Sequence, residues 1–470
     1  MAQRDGMSCF TGINSDTVKS MQETGRAFAV GHTPPAWLPG RVWYHLHSLR
    51  AAGAPDHNPD VTGCAPTGRG LRRLLGWLDH VKGLGCGGIV LTPIFVSMTH
   101  GYDTVDYFRI DQRLGDEDDL TAFVEACHDR NLKVLLDGVF HHVGRDFPGF
   151  RDVLAHGAAS PYAGWFRLDF SRDGGDGFTY RTFEGHRELV ALNHRSSEVL
   201  DWAVAVAEHW LDRGVDGWRL DAAYAILPAF LAEFSARVLH RYPDAFLFGE
   251  MIHGDYVRFV EQTGLHSATQ YELYKAIWSS LNEANFFELA WALQRHETFA
   301  RAFVPFTFVG NHDVTRLLTH LRNPSHLGHA LAVLFTVPGS PCLYYGDEFA
   351  FRGLKRRGVG GDEAIRPRLP DSPLAQNAEQ ASAIELHRQL IAIRAERPWL
   401  TTGHIQVVEF TKEQIRYTVA GGDGQLLIVL NVAASGSIPI DVKSWRRIAG
   451  ADLSNDGTLP AGSWSIWARR

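Results

Sequence analysis

Short apolar runs alternate with longer amphipathic stretches over most of the chain. Each run is rich in Val, Ile, Leu or Phe and is bounded by glycine, proline or a polar residue, a pattern typical of buried parallel strands. Eight strands are predicted in this way, at residues 42–47, 87–93, 133–137, 214–221, 245–249, 268–271, 303–309 and 341–345. The stretches between them predict helices at 71–83, 120–130, 197–213, 227–240, from 271 to about 284, and 327–336.

Strands that alternate with helices in this number predict a (β/α)8 barrel over residues 41–400. A doubly wound open sheet is the competing topology. The barrel is favoured because polar side chains follow several different strands. Only a barrel brings all those strand ends to one mouth, whereas an open sheet gathers them at a switch point.

Three segments depart from this alternation. Residues 143–193 are rich in Gly, Phe, Asp and Arg without a clear period, and an irregular insertion of this length inside a compact domain is usually functional. Residues 401–470 have a period of two with glycine-rich turns, which predicts a small antiparallel β domain. Residues 1–40 have weak periodicity and are predicted to form an arm with one short helix at 16–26.

Composition narrows the class of protein. The 470 residues carry a net charge of −7 without a basic run, so nucleic acid is not an expected partner. No apolar stretch is long enough to span a membrane, and the first residues show no signal-peptide pattern. The five cysteines are widely spaced and predict buried free thiols in a reducing compartment, so we expect a cytoplasmic protein. The oligomeric state is not predicted.

Carboxylates stand at the ends of four predicted strands. Asp137 ends the third, Asp221 ends the fourth, Glu250 follows the fifth and Asp313 follows the seventh. Arg219 lies two residues before Asp221, so both side chains project to the same side of the strand. The guanidinium is expected to lower the pKa of Asp221 and keep it ionised, while repulsion between the carboxylates keeps Glu250 protonated.

Such a pair of groups suits cleavage of a glycosidic bond, in which an acid protonates the leaving oxygen and a carboxylate attacks the anomeric carbon. A purely structural Arg–Asp pair is the alternative for the fourth strand taken alone. Metal binding is the chemical rival, because His141 with His142 and His312 with Asp313 are also ligand types. Neighbouring side chains at a strand end diverge, however, and no His-Glu-x-x-His pattern occurs. No metal is therefore predicted.

Six short motifs appear in order along the chain. They are Asp137 to His142, Gly217 to Asp221, Glu250 after its strand, Phe308 to Asp313, and two flanking segments at 85–93 and 339–348. A further segment, 100–103, contains Tyr102. Together they resemble the motifs of the α-amylase superfamily, glycoside hydrolase family 13, and the resemblance covers about residues 40–470.

The resemblance implies a role for each matching residue. Asp221 would be the nucleophile, Glu250 the general acid/base and Asp313 the stabiliser of the transition state. Tyr102, His142, Arg219 and His312 would bind the substrate or hold the nucleophile, and Asp137 and Asn311 would support the site. Residues 143–193 would be the family's domain B, and residues 401–470 its domain C.

Two positions depart from the family pattern. His141 stands where most members have an asparagine that ligates a structural calcium, and Ala191 stands where an aspartate is usual. Calcium requires several oxygen ligands. We therefore expect neither the family's calcium nor another cofactor.

Three functions remain open from the sequence. The first is a retaining hydrolase that cleaves α-glucosidic bonds, α-1,4 in the first instance, of soluble maltooligosaccharides through a covalent intermediate on Asp221. The second is a transglycosylase or isomerase of the same family, such as a glucanotransferase or a trehalose-forming enzyme. The third is a non-catalytic carbohydrate-binding member, and the full set of carboxylates disfavours it.

Overall fold

The computed structural model describes residues 33–58, 61–62, 68–358, 360–422 and 424–470. The helix predicted at 16–26 lies outside these residues. Cys86, Cys127 and Cys342 are buried and free, as predicted, and the other two cysteines lie outside the described ranges.

Eight parallel strands form the barrel, and the predicted fold is confirmed. The strands are β1 (Trp43–Leu46), β2 (Gly88–Leu91), β3 (Lys133–Gly138), β4 (Gly217–Leu220), β5 (Phe246–Gly249), β6 (Ser267–Ala268), β7 (Phe306–Phe308) and β8 (Ser340–Tyr344). They pair in the order β6-β5-β4-β3-β2-β1-β8-β7, and a parallel bridge between Thr269 and Phe306 closes the ring. The carboxyl ends of all eight strands therefore surround one mouth.

The barrel interior is filled by large apolar side chains. Trp43 of β1 stacks on Phe246 of β5, with ring centroids 6.2 Å apart, and its indole N–H donates to the Ser340 hydroxyl. Phe248 stacks on Phe306 at 4.2 Å. The barrel is thus a packed core and not a pore, in keeping with other proteins of this fold.

Helices follow the strands and cover the barrel. The α-helices within the described residues are Ser48–Ala52, Gly70–Leu75, Leu78–Gly83, Glu117–Asp129, Pro148–His156, Ser197–Leu211, Pro228–Arg241, Tyr256–Thr263, Tyr271–Glu283, Phe287–Ala302, Leu317–His320, Leu327–Thr336 and Ala378–Ala395.

Two sequence predictions of elements need correction, and several helices were missed, the longest of which are named here. The helix predicted at 71–83 is two helices, because the chain turns at Gly76 and the buried Trp77. Residues 270–271 do not extend the sixth strand, because the Gln270 side chain caps the helix that begins at Tyr271. Helices Phe287–Ala302 and Ala378–Ala395 were not predicted. The hydrophobic face of the second is interrupted by a buried histidine and arginine.

The insertion at 143–193 contains helix Pro148–His156 and a small antiparallel sheet. In this sheet His142–Gly144 pairs with His186–Ala191, which pairs in turn with Thr182–Phe183. A two-stranded ladder joins Leu168–Asp169 to Thr179–Tyr180. Because His142–Gly144 begins four residues after β3 ends, the sheet is attached directly to the barrel mouth.

The last 70 residues form a five-stranded antiparallel sheet. Its strands, in spatial order, are His404–Phe410, Gln414–Gly421, Gly424–Asn431, Ser463–Arg469 and Trp445–Gly450. The first four were predicted and Trp445–Gly450 was not. The sheet packs on helix Leu327–Thr336, where Gly328 lies so close to Trp464 that an added Cβ would fall 2.1 Å from the indole nitrogen.

Candidate active site

The end of β4 holds the centre of the site. β4 begins at Gly217, whose φ is +154° and where an added Cβ would lie 2.0 Å from the carbonyl oxygen of Phe246. Only glycine therefore allows β4 to pair this closely with β5. The pairing sets the register that places Arg219 and Asp221 at the mouth, opposite Glu250 after β5.

One guanidinium binds three carboxyl groups. Arg219 donates through Nη1 to Asp137 at the end of β3 and to Oδ1 of Asp221 at 3.1 Å. Its Nη2 lies 3.0 Å from Oε1 of Glu250. All four side chains are buried. The planar group thus contacts Asp221 and Glu250 at the same time.

Glu250 has further donors. Its Oε2 accepts from the backbone N–H of Ala222 at 3.0 Å, and its Oε1 accepts from the Tyr271 hydroxyl at 3.2 Å. Ala222 directly follows Asp221 and has a left-handed φ of +45°, a strained conformation for a residue with a Cβ. Asn311 donates to the Tyr271 hydroxyl at 2.8 Å and so supports this wall.

A second network holds Asp313. The Tyr102 hydroxyl donates to Asp137 at 3.0 Å and lies 2.5 Å from Nε2 of His312, and the two rings are parallel at 5.2 Å. Nε2 of His312 is also 3.0 Å from Oδ2 of Asp313. Arg366 donates to Oδ1 of Asp313 at 2.9 Å and to the His312 carbonyl at 2.8 Å.

Sequence reasoning missed Arg366. It lies in an irregular segment 22 residues after β8 ends, without a periodic pattern or a motif of its own. Nothing in the residues around Arg366 indicates that it would bind Asp313, which lies 53 positions earlier in the chain.

His142 lies on the domain B side of the mouth. Its Nε2 is 3.1 Å from the Tyr102 carbonyl, which makes Nε2–H the donor, and its ring stacks on Phe183 at 4.8 Å. Burial, together with the neighbouring His141, lowers the pKa of His142 to about 3. The imidazole is therefore neutral, and its Nδ1 lies 3.2 Å from Nδ1 of His141.

The predicted residues surround one cavity of about 410 Å³, a size suited to a small ligand. Its lining includes Tyr102, His142, Asp221, Glu250, His312 and Asp313 from the sequence prediction, together with His100, Phe183, Glu184, Tyr224, Lys355 and Arg366. Arg219, Asp137 and Asn311 contact these residues from behind the cavity wall.

The pKa shift of Asp221 is opposite in direction to the prediction. Burial and the charge of Glu250 raise the pKa of Asp221 well above its usual range, and Arg219 offsets them only in part. The expectation that Arg219 holds this pKa low is wrong for the unliganded site, because burial and the nearby Glu250 carboxyl outweigh the guanidinium. Glu250 accepts from three donors, whereas Asp221 accepts from Arg219.

Asp313 has the opposite environment. Burial raises the pKa of Asp313, but the nearby His312, Arg366 and Lys355 outweigh it and hold the pKa well below the usual value. Asp313 is therefore ionised at neutral pH. Its side chain is 33% exposed and faces the cavity.

The residues at the junction of barrel and insertion do not fit a calcium ion. The His141 ring packs against the rings of Phe183 and His194, at 5.1 and 5.7 Å, and Ala191 contributes only a methyl group. Burial lowers the pKa of His141 to about 4, so the ring is neutral. No group of three or more His, Cys, Asp or Glu side chains that could hold a metal ion occurs within the described ranges.

Several known proteins are similar to this chain. The family model described as "Alpha amylase, catalytic domain" matches residues 69–380. A cyclomaltodextrinase from Bacillus sp is 32% identical over 427 residues, which cover 86% of this chain and 74% of that protein. The intracellular maltogenic amylase of Bacillus subtilis (strain 168) is 30% identical over 396 residues, covering 79% and 64% of the respective chains.

A solved structure is also similar to this chain. The cyclic α-maltosyl-(1→6)-maltose hydrolase from Arthrobacter globiformis, in complex with that sugar, is 26% identical and superposes with a TM-score of 0.78, covering 93% of this chain and 100% of that chain. The barrel, the acidic residues at its mouth and these matches together define the class, a glycoside hydrolase. The chain belongs to the α-amylase family.

Across the part of the chain that the structure describes, no helix combines the length and apolar character needed to cross a membrane.

Proposed function

We propose that the protein hydrolyses α-1,4-glucosidic bonds of short, soluble maltooligosaccharides with retention of configuration. The observation that carries the proposal is the shared guanidinium, through which Arg219 holds Asp221 and Glu250 beside one cavity that also exposes Asp313. Two carboxyl groups at the scissile bond are the minimum set for this chemistry. The cavity size supports a short oligosaccharide as the substrate.

Asp221 is the proposed nucleophile and Glu250 the proposed general acid. Glu250 protonates the leaving oxygen while Asp221 attacks the anomeric carbon and forms a glycosyl ester. Glu250 then takes a proton from water, which attacks the same carbon and releases Asp221. Asp313, ionised by its neighbours, stabilises the positive charge that develops on the sugar ring.

Substrate binding must favour the ionised form of Asp221. Burial and the charge of Glu250 raise the pKa of Asp221 in the unliganded site, whereas the reaction needs this group as a carboxylate. Sugar hydroxyls that donate to Asp221 would favour its ionised form, and the glycosidic oxygen would accept the hydrogen that Glu250 then carries. Tyr102, His142 and His312 are the proposed partners of the sugar at the cleaved bond, because all three line the cavity.

Two further expectations belong to this proposal. The protein works without calcium, since His141 and Ala191 provide no ligand set at the junction. It acts in the cytoplasm, a location supported by the word "intracellular" in the name of the maltogenic amylase relative.

The test measures the hydrolysis of maltotriose, maltoheptaose and β-cyclodextrin through the release of reducing ends. The Asp221→Asn variant is the comparison. We expect the variant to lose about 10³-fold or more in kcat, because the amide cannot form the glycosyl ester. Asp118→Asn is the matched control, since Asp118 is exposed and does not line the cavity. NMR of the first product should show the α-anomer. Full activity of Asp221→Asn, or initial release of the β-anomer, would refute the mechanism.

A further inference from the structure

A strained turn lies at the tip of the domain B hairpin. Strands Thr182–Phe183 and His186–Ala191 are joined by only two residues, Glu184 and Gly185, and Phe183 pairs with His186. The φ angles of the two turn residues are +47° and +85°. Positive values at both positions define a type I′ turn, which strongly prefers Asn-Gly or Gly-Gly. A glutamate at its first position is unfavourable for the backbone.

The Glu184 side chain turns toward the barrel. Its Oε1 accepts a hydrogen bond of 3.3 Å from the Tyr224 hydroxyl, and both residues line the 410 Å³ cavity. Gly185, in contrast, has open space where its Cβ would be. A strained residue whose side chain reaches a ligand cavity is a reason to consider a function for that side chain.

Glu184 and Tyr224 lie on the Glu250 side of the cavity. The backbone N–H of Tyr224 donates to the Glu250 carbonyl at 3.2 Å, and the Tyr224 ring lies 6.2 Å from that of His253. Burial and the charges of Glu250 and Glu184 raise the pKa of the Tyr224 phenol, so it stays a hydroxyl donor.

A separate group of cavity residues has its own partners. Tyr102, His312, Asp313 and Arg366 are joined by hydrogen bonds to one another and not to Glu184 or Tyr224. A general acid must face the oxygen that departs, so the wall attached to Glu250 is the one beside the leaving sugar.

We propose that Glu184 determines specificity for the leaving sugar, accepting hydrogen bonds from its hydroxyl groups while Tyr224 holds the carboxylate toward the cavity. The ligand is a neutral sugar with adjacent hydroxyl groups, bound on the reducing-end side of the cleaved bond. This inference rests on the proposed hydrolase function and extends it to a residue outside the family motifs named above.

The experiment compares two substrates that share a donor and differ in the leaving group. Maltotriose releases glucose, which can bind Glu184, and α-maltosyl fluoride releases fluoride, which cannot. Glu184→Gln removes the charge, and Glu184→Asn removes the charge and also shortens the side chain while favouring the turn. Glu188→Gln is the matched control, because Glu188 is exposed on the same hairpin but does not line the cavity.

The measured quantity is kcat/KM for maltotriose divided by kcat/KM for α-maltosyl fluoride. The loss of hydrogen bonds to a charged group should decrease this ratio about tenfold for Glu184→Asn and by less for Glu184→Gln. Glu188→Gln should keep the ratio of the unsubstituted protein. The thermal unfolding midpoint of Glu184→Asn should not fall, because asparagine suits the turn.

A ratio unchanged in both Glu184 variants would overturn the inference, and so would an equal loss on both substrates, which indicates a structural role. Failure of the unsubstituted protein to cleave either substrate is a different result. It would refute the hydrolase function itself.

Discussion

Replacing Arg219 by methionine would remove a cation that contacts three buried carboxyl groups. Two of those contacts measure 3.1 and 3.0 Å, to Asp221 and Glu250, and the third is with Asp137. At about 3 Å and an effective dielectric constant of about 20, each charge pair is worth roughly 5 kcal/mol before desolvation is subtracted. Removal of one partner from a buried ion pair costs about 3–5 kcal/mol net, so we expect a loss of at least that size at pH 8.

The loss should depend on pH. Burial already raises the pKa values of Asp137 and Asp221 above those of an unfolded chain, and the loss of Arg219 would raise them further. A raised pKa in the folded protein contributes stability at low pH that disappears as the pH rises through that pKa. The deficit of the variant relative to its parent should therefore be largest at pH 8 and smaller at about pH 5.

Urea unfolding of parent and variant at several pH values measures this deficit. Taking the difference at each pH cancels the effect of the buried histidines, which titrate in both proteins. Arg316→Met is a suitable control, because Arg316 is also fully buried but contacts one carboxyl group, that of Asp347. A deficit below about 1 kcal/mol, or one that stays constant from pH 8 to pH 5, would refute the electrostatic reasoning.

Two other predictions concern the mouth and the junction with domain B. Arg366→Met should raise the pKa of Asp313, which Arg366 helps to keep low, by about one unit. NMR titration of the Asp313 side-chain carboxyl carbon in parent and variant measures this pKa, and an unchanged value would contradict the role of the ion pair. Excess EDTA should leave the thermal unfolding midpoint within about 1 °C, because the junction at His141 and Ala191 has no ligand set for calcium. A fall of many degrees would show a structural metal.

Local patterns of apolar and polar residues predicted much of the fold. Each barrel strand is a short apolar run, and every predicted strand overlaps an observed one, although the fourth and seventh were begun three residues too early and the sixth was extended too far. One element that was missed depends on a side chain far along the chain. Helix Phe287–Ala302 was not predicted. It packs against the C-terminal sheet, where the ring centroids of Phe287 and Phe410 are 5.3 Å apart.

The sequence by itself determined which residues stand at strand ends. The apolar runs mark the strands and their order, and the two-residue spacing of Arg219 and Asp221 puts both side chains on the same side of their strand. Tertiary structure alone decided how the charges are shared. Arg219 meets Asp137 across 82 residues of chain, and Arg366 reaches Asp313 across 53. The direction of the Asp221 pKa shift depends on burial and on Glu250. These are distances and degrees of desolvation, and they exist only after the barrel has closed.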